Sequence, residues 1–331
     1  MTVKTVAVLA DEWGDLPWKK FQKNLYKLQH RIYKATKNGD NSSAKRLQSL
    51  LIGSKSAKLM ALRQVFQLNR HKKILGIDGM GSFNFEQCLE LSEQIFHMKE
   101  WKHRRLSKVF LFKDFGEKKS LGISTIRYRA MQYLIKYALD PVYEALASDS
   151  SYDFRPTYST WEVQDKIFQN LKSSSKGYKK SILKLHIENC QNKVDHKKLL
   201  FFILLPGTAK KFIRSSLKYG ILHENDKSLI RMPQESILSA LLCNIALHGM
   251  ENLNNECAYR SERQQKGLKG LRYANNMLYI VDEKENWKVL QKKIDRFQFS
   301  RGLRISKVKT TFSSSQDGAD FLGWHFKVKA K

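Results

Sequence analysis

The stretch LKGLRYANNMLYI, residues 268–280, decides how this chain is read. Apolar residues flank Tyr-Ala-Asn-Asn at 273–276, so the segment predicts two short strands joined by a turn. Asparagine suits such a turn, because a short polar side chain tolerates positive φ and satisfies nearby backbone groups. A surface hairpin is the plain reading. The sharper one is a hairpin whose turn once carried charge.

Elements on either side of the hairpin point to a sheet backed by helices. Trp18, Phe21, Leu25, Leu28, Ile32 and Ala35 recur at helical spacing, and Asn38-Gly39 ends that helix. A second helix is predicted over about 42–66, with Leu47, Leu51, Ser54 and Ala61 on its buried side. Residues 73–83 read as loop and 84–101 as helix. A strand pair over 107–113 and 119–123 turns at Asp114-Phe115-Gly116. Helices over 126–144 and 159–172 precede an apolar strand at 181–187. Further helices are predicted at 195–204, 209–219, 236–252 and 285–299, with a last strand pair at 304–312 and 321–328. Ser313-Ser314-Ser315 reads as a turn. The sum is an α+β architecture.

Charge narrows the function classes. Sixty basic residues against 31 acidic ones leave +29 on 331 residues, a polycation whose natural counterpart is nucleic acid. No stretch approaches the roughly 20 apolar residues of a membrane span, and the basic residues run along most of the chain, so no membrane partner is expected. Lysine outnumbers arginine more than two to one, the usage of an AT-rich genome such as an organelle's. Cys88, Cys190, Cys243 and Cys257 have no CxxC spacing, which argues against a zinc site or a disulfide framework.

Several segments carry more than periodicity. They are WKKFQKNLYKLQHRIYKATKNGD at 18–40, LQSLLIGSKSAKLMALRQV at 47–65, KSLGIS at 119–124 and SYDFRP at 151–156. SALLCNIALHGME at 239–251, LRYANN at 271–276, GLRISKVKT at 302–310 and FLGW at 321–324 follow. In this order they resemble a group II intron-encoded reverse transcriptase, or maturase, of the bacterial and organellar kind. The resemblance implies reverse-transcriptase-like fingers and palm preceded by an N-terminal helical region. Its regions would be a maturase-type helical region over 1–68, a fingers-like region over 69–180 and a palm-like region over 181–331. It also implies a helical thumb, whereas the chain stops seven residues after FLGW, so a separately encoded thumb or splicing partner is expected.

The departures from the family fall on its chemistry. Members hold two Mg²⁺ with an aspartate in the first palm strand and an Asp-Asp pair in the hairpin turn. Here those positions are His186, Asn275 and Asn276. Amides offer neutral oxygens, and imidazole prefers softer metals. Glu188, Asp195 and Cys190 are the only nearby replacements, at spacings that do not make a ligand set. Gln191 and Asn192 replace an aromatic and an acidic residue. Glu235 and Ser236 fill glycine positions after Gln234, and Ser120 and Ser124 replace prolines. No catalytic residue, metal or cofactor is therefore expected.

What remains is a framework for RNA. Lys19, Lys20 and Lys23 lie on the first helix, and Arg104, Arg105, Lys108, Lys113 and Lys119 surround the fingers strands. Arg127, Arg129 and Arg155 occupy motif regions, while Lys210, Lys211 and Arg214 share a helix side. The expected partner is host intron RNA, and the expected function is assistance of group II intron splicing without polymerisation. Alternatives are an RNA-directed DNA polymerase with an unusual metal site, or a scaffold or relic. The expected location is a chloroplast or another organelle, with a bacterial cytoplasm as alternative.

Overall fold

The computed structural model describes residues 13–68, 85–94, 107–112, 118–155, 158–187, 194–218, 237–253, 270–282, 287–303 and 310–329. Its helices are α1 (Trp18–Lys37), α2 (Asn41–Gly53), α3 (Lys55–Arg63), α4 (Phe85–Gln94) and α5 (Ile126–Leu146). They continue as α6 (Thr160–Leu171), α7 (His196–Phe202), α8 (Gly207–Lys218), α9 (Ser239–Leu247) and α10 (Trp287–Arg301). The strands are β1 (Ser107–Phe112), β2 (Lys118–Ile123), β3 (Lys180–His186), β4 (Leu271–Tyr273) and β5 (Asn276–Asp282). Three short ones follow: β6 (Thr311–Ser314), β7 (Ala319–Phe321) and β8 (Trp324–Phe326). The chain divides into two units, one from 1–146 with 200–241 and one from 147–199 with 242–331.

Among the described residues, the first unit is helices and the antiparallel β1–β2 hairpin, in which Ser107 faces Ile123 and Phe112 faces Lys118. Helix α1 buries Trp18, Leu25, Ile32 and Thr36 and packs on α2, α3 and α5. The helix expected over 42–66 is two helices. Ser54 breaks it with an extended ψ of 134°, and its hydroxyl accepts from the Ala57 amide at 3.1 Å, capping α3. The loop expected at 73–83 and the turn at 114–116 lie outside the described residues.

Pro141 sits inside α5. Having no N–H, it leaves the Tyr137 carbonyl, four residues back, without its helical donor. Gln29 of α1 supplies one instead, its Nε2 donating to that carbonyl at 3.0 Å. Gln48, wholly buried in α2, donates to the carbonyls of Ala138 at 2.9 Å and Leu204 at 3.0 Å. On the far side of α5, Tyr128 meets Phe212 of α8 with ring centroids 5.7 Å apart.

The second unit is built on an antiparallel sheet of order β4-β5-β3-β6. Met277 to Val281 are all buried, so β5 is covered on both faces. Val163, Ile167 and Leu171, four apart on α6, share a core with Ile182, Leu271, Leu278 and Ile280. Ser159 and Glu162 close a capping box at the start of α6. At its end the chain passes so close that a Cβ on Gly177 would lie 1.7 Å from the Leu171 carbonyl oxygen.

Near the C-terminus the structure departs from the expected strand pair. Residues 304–309 are outside the described set, and β6 joins β3 with Leu183 opposite Phe312. Ser313 and Ser314 are strand residues, and the buried Ser315 hydroxyl donates to the Gly177 carbonyl at 2.6 Å. The segment expected as a strand over 321–328 holds the turn of its own hairpin, β7–β8. Leu322 and Gly323 turn it with φ of +52° and +83°, the paired left-handed residues of a type I′ turn. The helix expected over 236–252 ends at Leu247, ahead of the left-handed Gly249, φ +95°. Cys243 is in a disulfide, which the cysteine spacing did not suggest. Among the described residues no helix is long and apolar enough to cross a membrane.

Lys58 of α3 is 1% exposed, and burial pulls its pKa down to about 8. The folded state thus sheds this proton before the unfolded state does, so stability rises as pH climbs from about 8 toward the ordinary lysine value of 10.5. Lys58→Met is expected to lack the rise in stability that begins near pH 8. Thermal denaturation from pH 6 to 10 checks this.

Candidate functional site

Strand β3 runs between β5 and β6, which sets His186 directly opposite Asn276. Tyr273 also pairs with Asn276, so the turn consists of Ala274 and Asn275. The positive φ of +54° falls on Ala274, not on an asparagine as expected from the sequence. Asn276 is already strand. Its Oδ1 lies 2.9 Å from His186 Nδ1, and the Asn275 amide Nδ2 donates to the Ile187 carbonyl at 3.1 Å. The same Nδ2 lies 3.5 Å from His186 Nε2. An imidazole with its proton on Nδ1 and its lone pair on Nε2 satisfies both contacts. The Ile187 amide closes the set by donating to the Asn275 carbonyl at 2.9 Å.

The structure therefore brings His186, Asn275 and Asn276 together, and they occupy one another. One imidazole and two amides carry no negative charge, whereas paired magnesium ions are held by anionic oxygens. These side chains do not fit such a pair. Of the acids considered from sequence, Asp195 is already engaged: its Oδ1 accepts the amides of Lys197 at 2.8 Å and Lys198 at 3.1 Å, capping α7. Glu188, Cys190, Gln191, Asn192 and residues 233–236 lie outside the described set. Asp153 carries a carboxyl toward the hairpin, where burial raises its pKa and hydrogen bonds from the Phe154 amide and Tyr273 partly offset the rise. Among the described residues no three His, Cys, Asp or Glu side chains converge as metal ligands would.

Behind the turn lies a buried arrangement that the sequence reading missed. Arg272, 1% exposed, pairs through Nε with the fully buried Glu251 carboxylate. Its other nitrogens donate to Asn244 Oδ1 and Ser151 Oγ, both at 2.6 Å, and to the Ala274 carbonyl at 3.4 Å. Glu251 accepts the Gly249 amide at 3.0 Å, and Asn244 donates to the Asp153 carbonyl at 2.9 Å. Arg272 also exchanges backbone bonds with Ser150 and Tyr152 at 2.8 and 3.0 Å. One guanidinium thus ties together SYDFRP, the end of SALLCNIALHGME and LRYANN. His248 lies in the same field: burial pushes its pKa down, Glu251 opposes this, and Arg272 and Arg301 push it down further. The only sequence signal was that these motifs occur together.

The expected basic residues separate into groups. Lys19, Lys20 and Lys23 are exposed on α1. Arg127 and Arg129 are half-buried on α5. Lys210 is half-buried on α8, while Lys211 and Arg214 are exposed. Burial lowers the Lys210 pKa, and the charges of Lys45 and Arg214 lower it further. Lys45 of α2 thus joins a cationic cluster that 164 intervening residues hid from the sequence reading. Arg155 is a correction. It is 8% exposed, donates to the carbonyls of Ser148 at 2.8 Å and Ser151 at 2.6 Å, and stacks on Tyr158 at 4.3 Å. Its charge supports the loop and is not presented to phosphate. Arg104, Arg105 and Lys113 lie outside the described residues, and of Lys108 and Lys119 only the strand positions are described.

Comparison with known proteins gives the family. Residues 13–95 match the N-terminal domain of reverse transcriptase, and 112–326 match reverse transcriptase (RNA-dependent DNA polymerase). The second match covers more than half of the chain. The chain belongs to the reverse transcriptase family. Within that family it is 35% identical to maturase-like protein 1 of Euglena gracilis over 318 residues, 95% of this chain and 65% of that protein. It is 24% identical to the group II intron-encoded protein LtrA of Lactococcus lactis subsp. cremoris, over 66% of this chain and 46% of LtrA. The chain thus spans about two thirds of the Euglena relative. A structure of apo telomerase from Candida tropicalis, truncated from the C-terminal domain, superposes with a TM-score of 0.52 at 16% identity. It covers 67% of this chain and 53% of that one, and shows the fold alone. The family fold and the N-terminal helical region are as expected, and so is homology to group II intron proteins.

Arg272→Met is expected to cost about 3–5 kcal/mol, because it leaves a buried carboxylate unpaired. Arg272→Met with Glu251→Leu should lose less than the sum of the two single losses. Urea denaturation of the four proteins measures this coupling. Additive losses would show that the pair is not the unit described.

Proposed function

We propose that the chain is an RNA-binding, maturase-like protein without polymerase activity that assists splicing of its host group II intron. The observation that carries this reading is the neutral contact set of His186, Asn275 and Asn276. At the positions where the family resemblance expects metal-binding carboxylates, the hairpin is held by hydrogen bonds among uncharged groups. Homology to maturase-like and intron-encoded proteins supports the choice of RNA, and the +29 net charge supplies the attraction. A chloroplast or other organelle is the location this reading favours. The exposed lysines of α1 and the Lys45–Lys210–Arg214 cluster are the proposed phosphate contacts. Such contacts set affinity and register with little base information.

Primer extension on an RNA template, with Mg²⁺ or Mn²⁺, is expected to give no product. Mg²⁺ should leave the melting temperature of the natural chain unchanged. A variant carrying His186→Asp, Asn275→Asp and Asn276→Asp should melt lower without Mg²⁺, through carboxylate repulsion, and recover when it is added. Template-dependent extension by the natural chain would overturn the reading.

Binding to RNA should weaken steeply with salt. With about five phosphates engaged, the log–log slope is expected to be roughly −3.5 to −4.5. Neutralising Lys210, Lys211 and Arg214 together should flatten it by roughly two to three units, for cognate and unrelated RNA alike. Titrations at several salt concentrations test this, with circular dichroism as the control for folding. Folded protein that binds no RNA at low salt would remove the proposal.

A further inference from the structure

The second unit also carries a groove lined by aromatic and basic side chains. This open groove of about 740 Å³ runs between α6 and residues 324–329, within the roughly 300–1,000 Å³ usual for ligand sites. Helix α6 buries Val163, Ile167 and Leu171, yet on its outer side Trp161 and Phe168 are 65% and 62% exposed. Trp324 of β8 meets Trp161 edge to face, with centroids 5.0 Å apart and planes at 60°. Phe326 and Val328 pack against the core, while Lys327 and Lys329 are exposed. Lys172 adds a third cation to the lining, against the single carboxylate of Asp165. His325 is already paired with Asp320 at 2.7 Å.

The chemistry of this lining selects its occupant. A groove for an apolar protein helix needs a broad aliphatic floor and gains little from lysines. Here the exposed apolar surface is aromatic and the excess charge is positive. Nucleobases stack on aromatic rings whatever their sequence, and lysines meet the phosphates between them. A duplex cannot use the groove, because its bases are already stacked on each other. We infer that the groove binds an unpaired stretch of RNA, with bases on Trp161 and Phe168 and phosphates at Lys172, Lys327 and Lys329. This rests on the RNA-binding reading and gives it a second surface, separate from the helix lysines and from the hairpin.

The test titrates the full chain by fluorescence anisotropy with a labelled short oligouridylate and with an RNA duplex of equal length. Trp161→Ala with Phe168→Ala is expected to weaken oligouridylate binding by roughly tenfold or more and to leave duplex binding unchanged. Lys327→Gln with Lys329→Gln should reduce the oligouridylate salt slope by roughly 1.4, two phosphates at the single-strand factor. All four side chains are on the surface, and circular dichroism confirms that the variants fold. If the natural chain binds neither RNA, the RNA-binding reading falls and the inference with it. If it binds both and neither variant differs from it, the groove inference alone falls. Equal loss of oligouridylate and duplex, or loss of a protein partner with RNA binding intact, likewise overturns it.

Discussion

The guanidinium of Arg272 is the constraint on which the second unit depends. It is buried beside a buried carboxylate, and its remaining donors reach an asparagine, a serine and a backbone carbonyl. Such a pair is favourable only when its hydrogen bonds are satisfied together, since each ion has given up its hydration. The geometry therefore has to be right in three chain segments at once. It sets where residues 150–152 lie, where the chain leaves α9 and where the hairpin turns. A lysine could not do the same, because only the planar fork of arginine donates in fixed directions.

That anchoring lets the hairpin keep its shape without charge at its tip. In a site built from carboxylates, bound cations relieve mutual repulsion. Here the tip has no repulsion to relieve. His186 and Asn276 are cross-strand partners, and Asn275 reaches the next backbone carbonyl of the same strand. Strand register and side-chain hydrogen bonds agree, so the neutral tip is a consistent local structure in its own right.

Much of this was legible in the sequence, for identifiable reasons. The stripe from Trp18 to Ala35 announced α1 because a buried helix face needs apolar residues at that spacing. The ordered motifs announced the sheet and brought His186 to the asparagines. What escaped depended on single dihedral angles or distant neighbours. Ser54 could sit on a helix face or cap the next helix, and its neighbours in sequence do not distinguish the two. The left-handed residue of the hairpin is Ala274, a residue type that gives no hint of positive φ. Arg155 showed its charge in the sequence but not the carbonyls that hold it. Composition reports that a cation exists, and only packing reports which way it faces.

The proline-bearing helix α5 has a consequence for the order in which the chain can be built. Its proline frees one carbonyl for Gln29, and Gln48 spans Ala138 and Leu204. Emerging from a ribosome, the first helices meet α5 only after about a hundred further residues, and Leu204 and Phe212 later still. Until then Gln48 lacks its second carbonyl, and Tyr128 lacks the ring it packs on. The N-terminal helices must therefore wait in an unfinished state while the intervening segment is synthesised. Unlike a domain that folds as soon as it is made, this one closes late. Helices made early are completed by residues made later.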